Sequence, residues 1–309
     1  MKKVGIVVVT YNRLPLLKEV IEALRQQTFS DYQIIVVNNG STDDTPKWLQ
    51  SQNDLHVINQ SNVGGAGGFF TGMKYVVEQK FDFCWIMDDD VICSPTALEK
   101  LYESYQHANN AGFLCSKVVG NDGCPMNTPL IDSRPTSNGY ADFTDKIEYQ
   151  MVKVQQATFV SVFIPAAVIL EVGLPYKEYF IWGDDSEYTL RISRKHHCYM
   201  ACQSVVLHKR AIQSTLSLDT EKDPKRMRNY FYMLRNVGFN NIKYSSTPIK
   251  TRVRNYKALA VQMTKYLCHL RFRAAWIVAK ALFALTHFNP QVQYPQSQES
   301  IQTPTKQGK

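Results

Sequence analysis

Trp85-Ile86-Met87-Asp88-Asp89-Asp90-Val91 joins an apolar run to three consecutive carboxylates, and the fold turns on how it is read. Residues 81–87 are apolar or aromatic apart from Asp82, which predicts a buried strand. Along an extended chain, side chains two apart share a face, so Asp88 and Asp90 point one way and Asp89 another. Two convergent carboxylates at a strand end suit a hard divalent cation that keeps positions open for phosphate oxygens. A solvated acidic turn is the plainer reading of an isolated Asp-x-Asp, so the rest of the chain has to decide.

Upstream, strand and helix alternate. Residues 4–10 are a β-branched run of the kind found in covered parallel sheets, and Leu14, Leu17, Val20, Ile21 and Leu24 repeat with a helical period. Strands at 32–37 and 55–59 flank a short helix at 46–51, and a helix ending near Gln79 precedes the acidic strand. This rhythm predicts an open α/β sheet with right-handed crossovers, whose ligands lie beyond the carboxyl ends of the strands. Residues 10–13, 38–41 and 88–90 all fall at those ends.

Four glycines, Gly64, Gly65, Gly67 and Gly68, lie within five residues. Such a stretch admits a ligand close to backbone and offers helix-start amides to phosphate, or else serves a tight turn and close helix packing. It is not G-x-G-x-x-G, which counts against a dinucleotide site. Downstream come a helix at 94–107 with Ser94 as cap, a strand at 112–119, an irregular insertion at 121–150 and strand character at 152–164. A second acidic cluster, Asp184, Asp185 and Glu187, follows the aromatic residues 179–182 at a helix start, where acids also serve the dipole. A late strand at 199–207 ends in His208.

Composition narrows the partners. The formal charge of +8 favours an anionic one. An odd count of seven cysteines without C-x-x-C fits reduced thiols in the cytoplasm. No apolar run approaches the ~18 residues that would span a bilayer, and 4–9 is too short for a signal peptide. Residues 250–288 hold eight Lys or Arg and no acid, interleaved with apolar residues, which predicts basic amphipathic helices on an anionic membrane face. Without the stacked-aromatic pattern of a single-strand platform, nucleic acid is not expected. Residues 289–309 read as a disordered tail.

Together, residues 4–13, 38–45, 88–90 and 182–187 resemble family 2 glycosyltransferases of the GT-A fold, over roughly residues 3–240. Residues 62–69 with 87–91 are similar to the bacterial branch that uses UDP-galactofuranose. The resemblance implies a Rossmann-like open mixed sheet flanked by helices over 1–240, with a helical extension at 241–288. It implies an inverting hexosyltransferase that moves galactofuranose from a nucleotide-sugar donor to a glycan or polyprenyl-linked acceptor in polysaccharide synthesis. Such an enzyme works at the inner face of the bacterial cytoplasmic membrane. By position, Asp88, Asp90 and His208 would hold Mn²⁺ or Mg²⁺, and Asp185 would be the catalytic base. Asp184, Glu187 and Trp182 would meet the acceptor. Thr10, Arg13, Asn39, Asp89 and Gly64, Gly65, Gly67 and Gly68 would line the donor. Two positions depart from the family pattern: Asn39 stands where many members carry an acid, and Gly183 separates Trp182 from the Asp pair. A dTDP-rhamnose donor, or the same fold binding without turnover, are the competing readings.

Overall fold

The computed structural model describes residues 3–108, 110–209 and 217–295. The first half alternates as expected: β1 (Val4–Thr10), α1 (Leu14–Arg25), β2 (Tyr32–Asn38), α2 (Thr45–Gln50), β3 (His56–Asn59), α3 (Gly64–Glu78) and β4 (Phe83–Asp88). Next come β5 (Val91–Cys93), α4 (Ala97–His107), β6 (Phe113–Val119), β7 (Leu130–Ile131), β8 (Met151–Gln156), β9 (Val162–Pro165), α5 (Ala166–Val172), α6 (Asp184–Ser193) and β10 (Cys198–His208). The chain continues as α7 (Pro224–Lys243), α8 (Pro248–Cys268) and α9 (Phe272–His287).

Among the described residues, ten strands form one sheet in the order β3-β2-β1-β4-β9-β6-β10-β8-β7, with β5 on β10. β1 to β4 pair in parallel, while β9 runs antiparallel to both β4 and β6, which makes the sheet mixed. Alternation along β1 builds two cores. Val4, Ile6 and Val8 pack with Leu17, Val20 and Leu24 of α1 and Leu98 and Leu101 of α4. Val7 and Val9 face the other way, onto Phe69, Met73 and Val76 of α3. The expected α/β class, with helices on both faces, is the observed one.

Several local expectations change. The strand character read at 152–164 resolves into two strands, β8 and β9, because 157–161 turns between them. The helix read from Ser94 begins at Ala97, and the Ser94 carbonyl instead accepts the Gln27 amide at 2.8 Å. The glycines lie inside α3 rather than in a turn before it. A Cβ on Gly68 would sit 2.4 Å from Val9 Cγ1, and one on Gly72 would sit 2.2 Å from Val7 Cγ1. Close seating of α3 on β1 therefore accounts for Gly68. Gly67 faces the side chain of Val63 in the same way.

The carboxyl-terminal part is a third packed unit. Tyr230, Leu259, Tyr266, Ile277 and Val278 are buried together between α7, α8 and α9. α7 runs straight through the boundary expected at 240. Residues 289–295 differ from the expected disorder: Leu174 donates its N–H to the Gln293 carbonyl at 2.8 Å, and Val292 packs near Tyr176 and Tyr179. The rest of that tail, from 296 on, lies outside the described residues, as does Arg210.

Candidate active site

The acidic triplet is built by a tight reversal. β4 ends at Asp88, residues 89–90 turn, and β5 returns antiparallel to β10 with Val91 opposite His208. That register brings His208 Nε2 to 3.2 Å from Asp90 Oδ1. Ligand atoms of Asp88, Asp90 and His208 all lie within 4.8 Å of one another. Asp90 Oδ1 is buried with no hydrogen-bond partner of good geometry, which is what a ligand awaiting a cation looks like. Two carboxylates and an imidazole fit a divalent ion such as Mn²⁺. Asn127 completes the arrangement: its Oδ1 lies 2.9 Å from His208 Nδ1. An amide oxygen can only accept, so Nδ1 carries a proton and Nε2 is the ring nitrogen left facing the acids.

Crowding sets the electrostatics. Burial, then Asp90 and Asp89, pushes the Asp88 carboxyl well above the ordinary range. Burial pushes Asp89 up to about 6 against the pull of Arg13 and Thr10. Burial also works on Asp90, but His208 and Arg13 outweigh it and hold that carboxyl below its usual value.

Four expected donor contacts have other jobs. Thr10 donates its hydroxyl to Asp89 Oδ2 at 2.7 Å, and both side chains are buried. Asp89 also accepts from the Tyr11 N–H and from Arg13, so it ties the β1 loop to the acidic turn rather than facing a ligand. Arg13 bridges Asp89 and Asp90 at 3.2 and 2.9 Å, with half its side chain exposed. Asn39 is buried and fully used: it donates to the Gly64 carbonyl at 2.9 Å and accepts from Gln60 and the Val63 N–H. It therefore shapes the 60–64 loop. Of the glycines, Gly65 has open space on its Cβ side, while Gly64 has φ +79° and lies against the Phe180 carbonyl.

The members of the second acidic cluster differ in their partners. Asp184 is buried, and burial with Asp185 pushes its carboxyl up to about 7. Its charge also helps raise Asp88, so the two clusters are electrostatic neighbours. Asp185 is half-buried and raised by burial, while the Ser186 amide binds its Oδ1 at 2.6 Å. Glu187 does not join them. It is 1% exposed, and Arg191, Lys243 and Tyr244 occupy its carboxylate at 2.6, 3.1 and 2.5 Å. Buried and held by these three partners, Glu187 ties α6 to the end of α7. Trp182 is half-buried and packs edge-on against Tyr230 at 5.2 Å.

A mixed sheet with paired acids beyond a parallel strand, and a second acidic pair opposite, defines a glycosyltransferase of the GT-A fold. The chain belongs to glycosyl transferase family 2, whose family model matches residues 5–163. It is 35% identical over 109 residues to the uncharacterized glycosyltransferase YwdF of Bacillus subtilis, covering 35% of this chain and 40% of that one. It is 25% identical over 204 residues to the galactofuranosyltransferase GlfT1 of Mycobacterium tuberculosis, covering 63% of this chain and 66% of that one. The chain thus spans less than two thirds of these relatives' own lengths. Crystal structures of S. aureus TarS share the fold with a TM-score of 0.55 at 15% identity, over 85% of this chain and 43% of that one. A shorter form of TarS, in complex with UDP, gives a TM-score of 0.54 at 14% identity, over 86% of this chain and 72% of that one.

Proposed function

We propose that this protein transfers galactofuranose from UDP-galactofuranose to a glycan acceptor with inversion, using a divalent cation held by Asp88, Asp90 and His208. The observation that carries this reading is the convergence of those three side chains within 4.8 Å, next to the buried start of α6. Support for the donor comes from the similarity to a galactofuranosyltransferase, and support for UDP from the complex of a structural neighbour.

A cation bound there supplies Lewis-acid stabilisation of the departing diphosphate. The protein's own part is positional. Asn127 holds the His208 ring, and Thr10 and Arg13 hold the acidic turn at the end of β1. Open backbone at Gly65 leaves room for the donor at the start of α3. Asp185 accepts the proton of the attacking hydroxyl. A single base with no covalent intermediate inverts the anomeric carbon.

Nucleotide release from UDP-galactofuranose, UDP-galactose and dTDP-rhamnose tests this directly. Release is expected to be fastest with UDP-galactofuranose, lost in EDTA and restored by Mn²⁺. Preference for dTDP-rhamnose reassigns the donor, and no turnover with any nucleotide sugar ends the enzymatic reading.

The acceptor is proposed to be lipid-linked, with the carboxyl-terminal helices resting on an anionic membrane. No helix among the described residues is long and apolar enough to cross a bilayer. Each outer helix instead exposes an apolar stripe at helical spacing beside cations. Ile249, Val253 and Val261 run with Lys257 on α8, and Phe272, Trp276 and Phe283 with Lys280 on α9. The triple variant Phe272→Ser, Trp276→Ser, Phe283→Ser is expected to stay folded and to stop sedimenting with phosphatidylglycerol liposomes. Sedimentation equal to wild type removes the membrane from the proposal.

A further inference from the structure

The six carbonyls from Glu178 to Gly183 are all claimed by partners outside ordinary secondary structure. The Glu178 carbonyl accepts from Arg235 at 2.7 Å. Those of Tyr179, Ile181 and Trp182 lie 3.0, 3.2 and 2.8 Å from the single amide nitrogen of Asn236. The Phe180 carbonyl accepts the Ala66 N–H of α3 at 3.2 Å. The Gly183 carbonyl accepts from Asn240 at 3.0 Å.

The segment so held is not relaxed. Phe180 has φ 63° and ψ −60°, and the Ile181 N–H reaches the Tyr179 carbonyl at 2.7 Å. That is a γ-turn of the rare, strained hand. Trp182 also has φ +63°, a region bulky L-residues avoid, and Gly183 follows at +87°. Strain of this kind persists where its surroundings over-determine it, and it clusters at functional sites. Here the surroundings are chiefly two asparagines one helical turn apart on α7. Asn236 is fully buried. Its Oδ1 accepts Nε and Nη2 of Arg235 at 3.0 and 2.8 Å, and since a guanidinium has donors only, the amide is locked with its nitrogen toward the loop. Asn240 is fixed likewise, its Oδ1 accepting the Tyr179 hydroxyl at 2.5 Å.

We propose that Asn236 and Asn240 are positioning residues for sugar transfer: they hold residues 179–183 in this strained path and so aim Asp184 and Asp185 at the donor. The other side of the same loop rests on the start of α3, where a Cβ on Gly64 would come within 2.0 Å of the Phe180 oxygen. Acceptor-side acids and donor-side glycines are thereby tied together, through the Phe180 carbonyl and through Ala66 packed on Tyr176 and Tyr179. The inference rests on the proposal that Asp185 is the base.

Asn236→Asp keeps the size of the side chain and removes its N–H donors, and Asn240→Ala acts at a less buried position. In the full chain, amide exchange at Ile181 and Glu187 is expected to quicken in both variants. Turnover of the donor selected above, with octyl β-galactofuranoside as probe acceptor, is expected to fall about 10²-fold through kcat, the usual consequence of displacing a reacting group by an ångström or so. UDP affinity should not change. A purely structural role would instead lower the melting temperature and weaken UDP binding together. Exchange as slow as wild type in both variants overturns the proposal, as does quickened exchange with full turnover. Asn240→Ala decides alone if Asn236→Asp fails to fold. Asp185→Asn runs alongside: full turnover there removes the base, and exchange with kcat then judges the two asparagines by themselves.

Discussion

Replacing Asp185 by Asn is expected to cut turnover about 10²- to 10⁴-fold, the usual contribution of a placed general base, with UDP affinity unchanged. The side chain is half-buried at the start of α6, its Oδ1 anchored by the Ser186 amide and hydroxyl at 2.6 and 3.2 Å. These hydrogen bonds fix the rotamer and favour the charged form, but burial outweighs them. Burial raises its pKa, so the group is protonated and idle in acid, and turnover should climb as pH rises through that raised value. Asp184, pushed up to about 7, titrates beside it, so the limb of the profile belongs to the pair. The variant should lose this limb. Turnover near wild type in the Asn variant would exclude Asp185 as the base.

Glu187→Ala should cost about 3–5 kcal/mol of folding stability, the range seen when one partner of a buried ion pair is removed. Arg191 is 10% exposed and would keep its charge with no counter-ion, and Lys243 and Tyr244 would lose the contact that closes α7 onto α6. Denaturant unfolding at neutral pH measures this. The pH dependence has a definite sign. Burial pushes the Glu187 carboxyl up, but Arg191, Lys243 and Tyr244 outweigh it and hold it below its ordinary value. Its stabilisation is therefore complete above the unfolded-state pKa of about 4.3 and is lost as pH falls through the lower folded value. Wild type should lose stability over that acid range, and the Ala variant should lose less. A variant as stable as wild type would mean that the cluster holds nothing together.

The parallel half of the sheet was readable because β1, β2 and β4 each carry a continuous apolar run and α1 repeats with a helical period. The acidic turn was readable too, since Asp88 and Asp90 are two apart at a strand end and the structure brings His208 to them. What escaped reading depends on partners far along the chain. Glu187 looked like an acceptor ligand until α7 brought Lys243 and Tyr244, more than fifty residues away, onto its carboxylate. Asn39 looked free, but a loop more than twenty residues on takes up both ends of its amide. Asn127 lies in an insertion without periodicity, so nothing local tied it to His208. The role of Asn236 could not be read either, because the oxygens around its amide nitrogen belong to the backbone, which sequence does not display. The glycines misled for a simpler reason: close helix seating and ligand approach call for the same residue, and only the distance to Val9 separates them at Gly68.

Arg13 lays a guanidinium across Asp89 and Asp90 while half of its side chain faces solvent. The chain therefore brings its own neutraliser for a cluster that would otherwise push itself apart during synthesis. On the proposed reading, maturation of the polypeptide is uncoupled from ion supply.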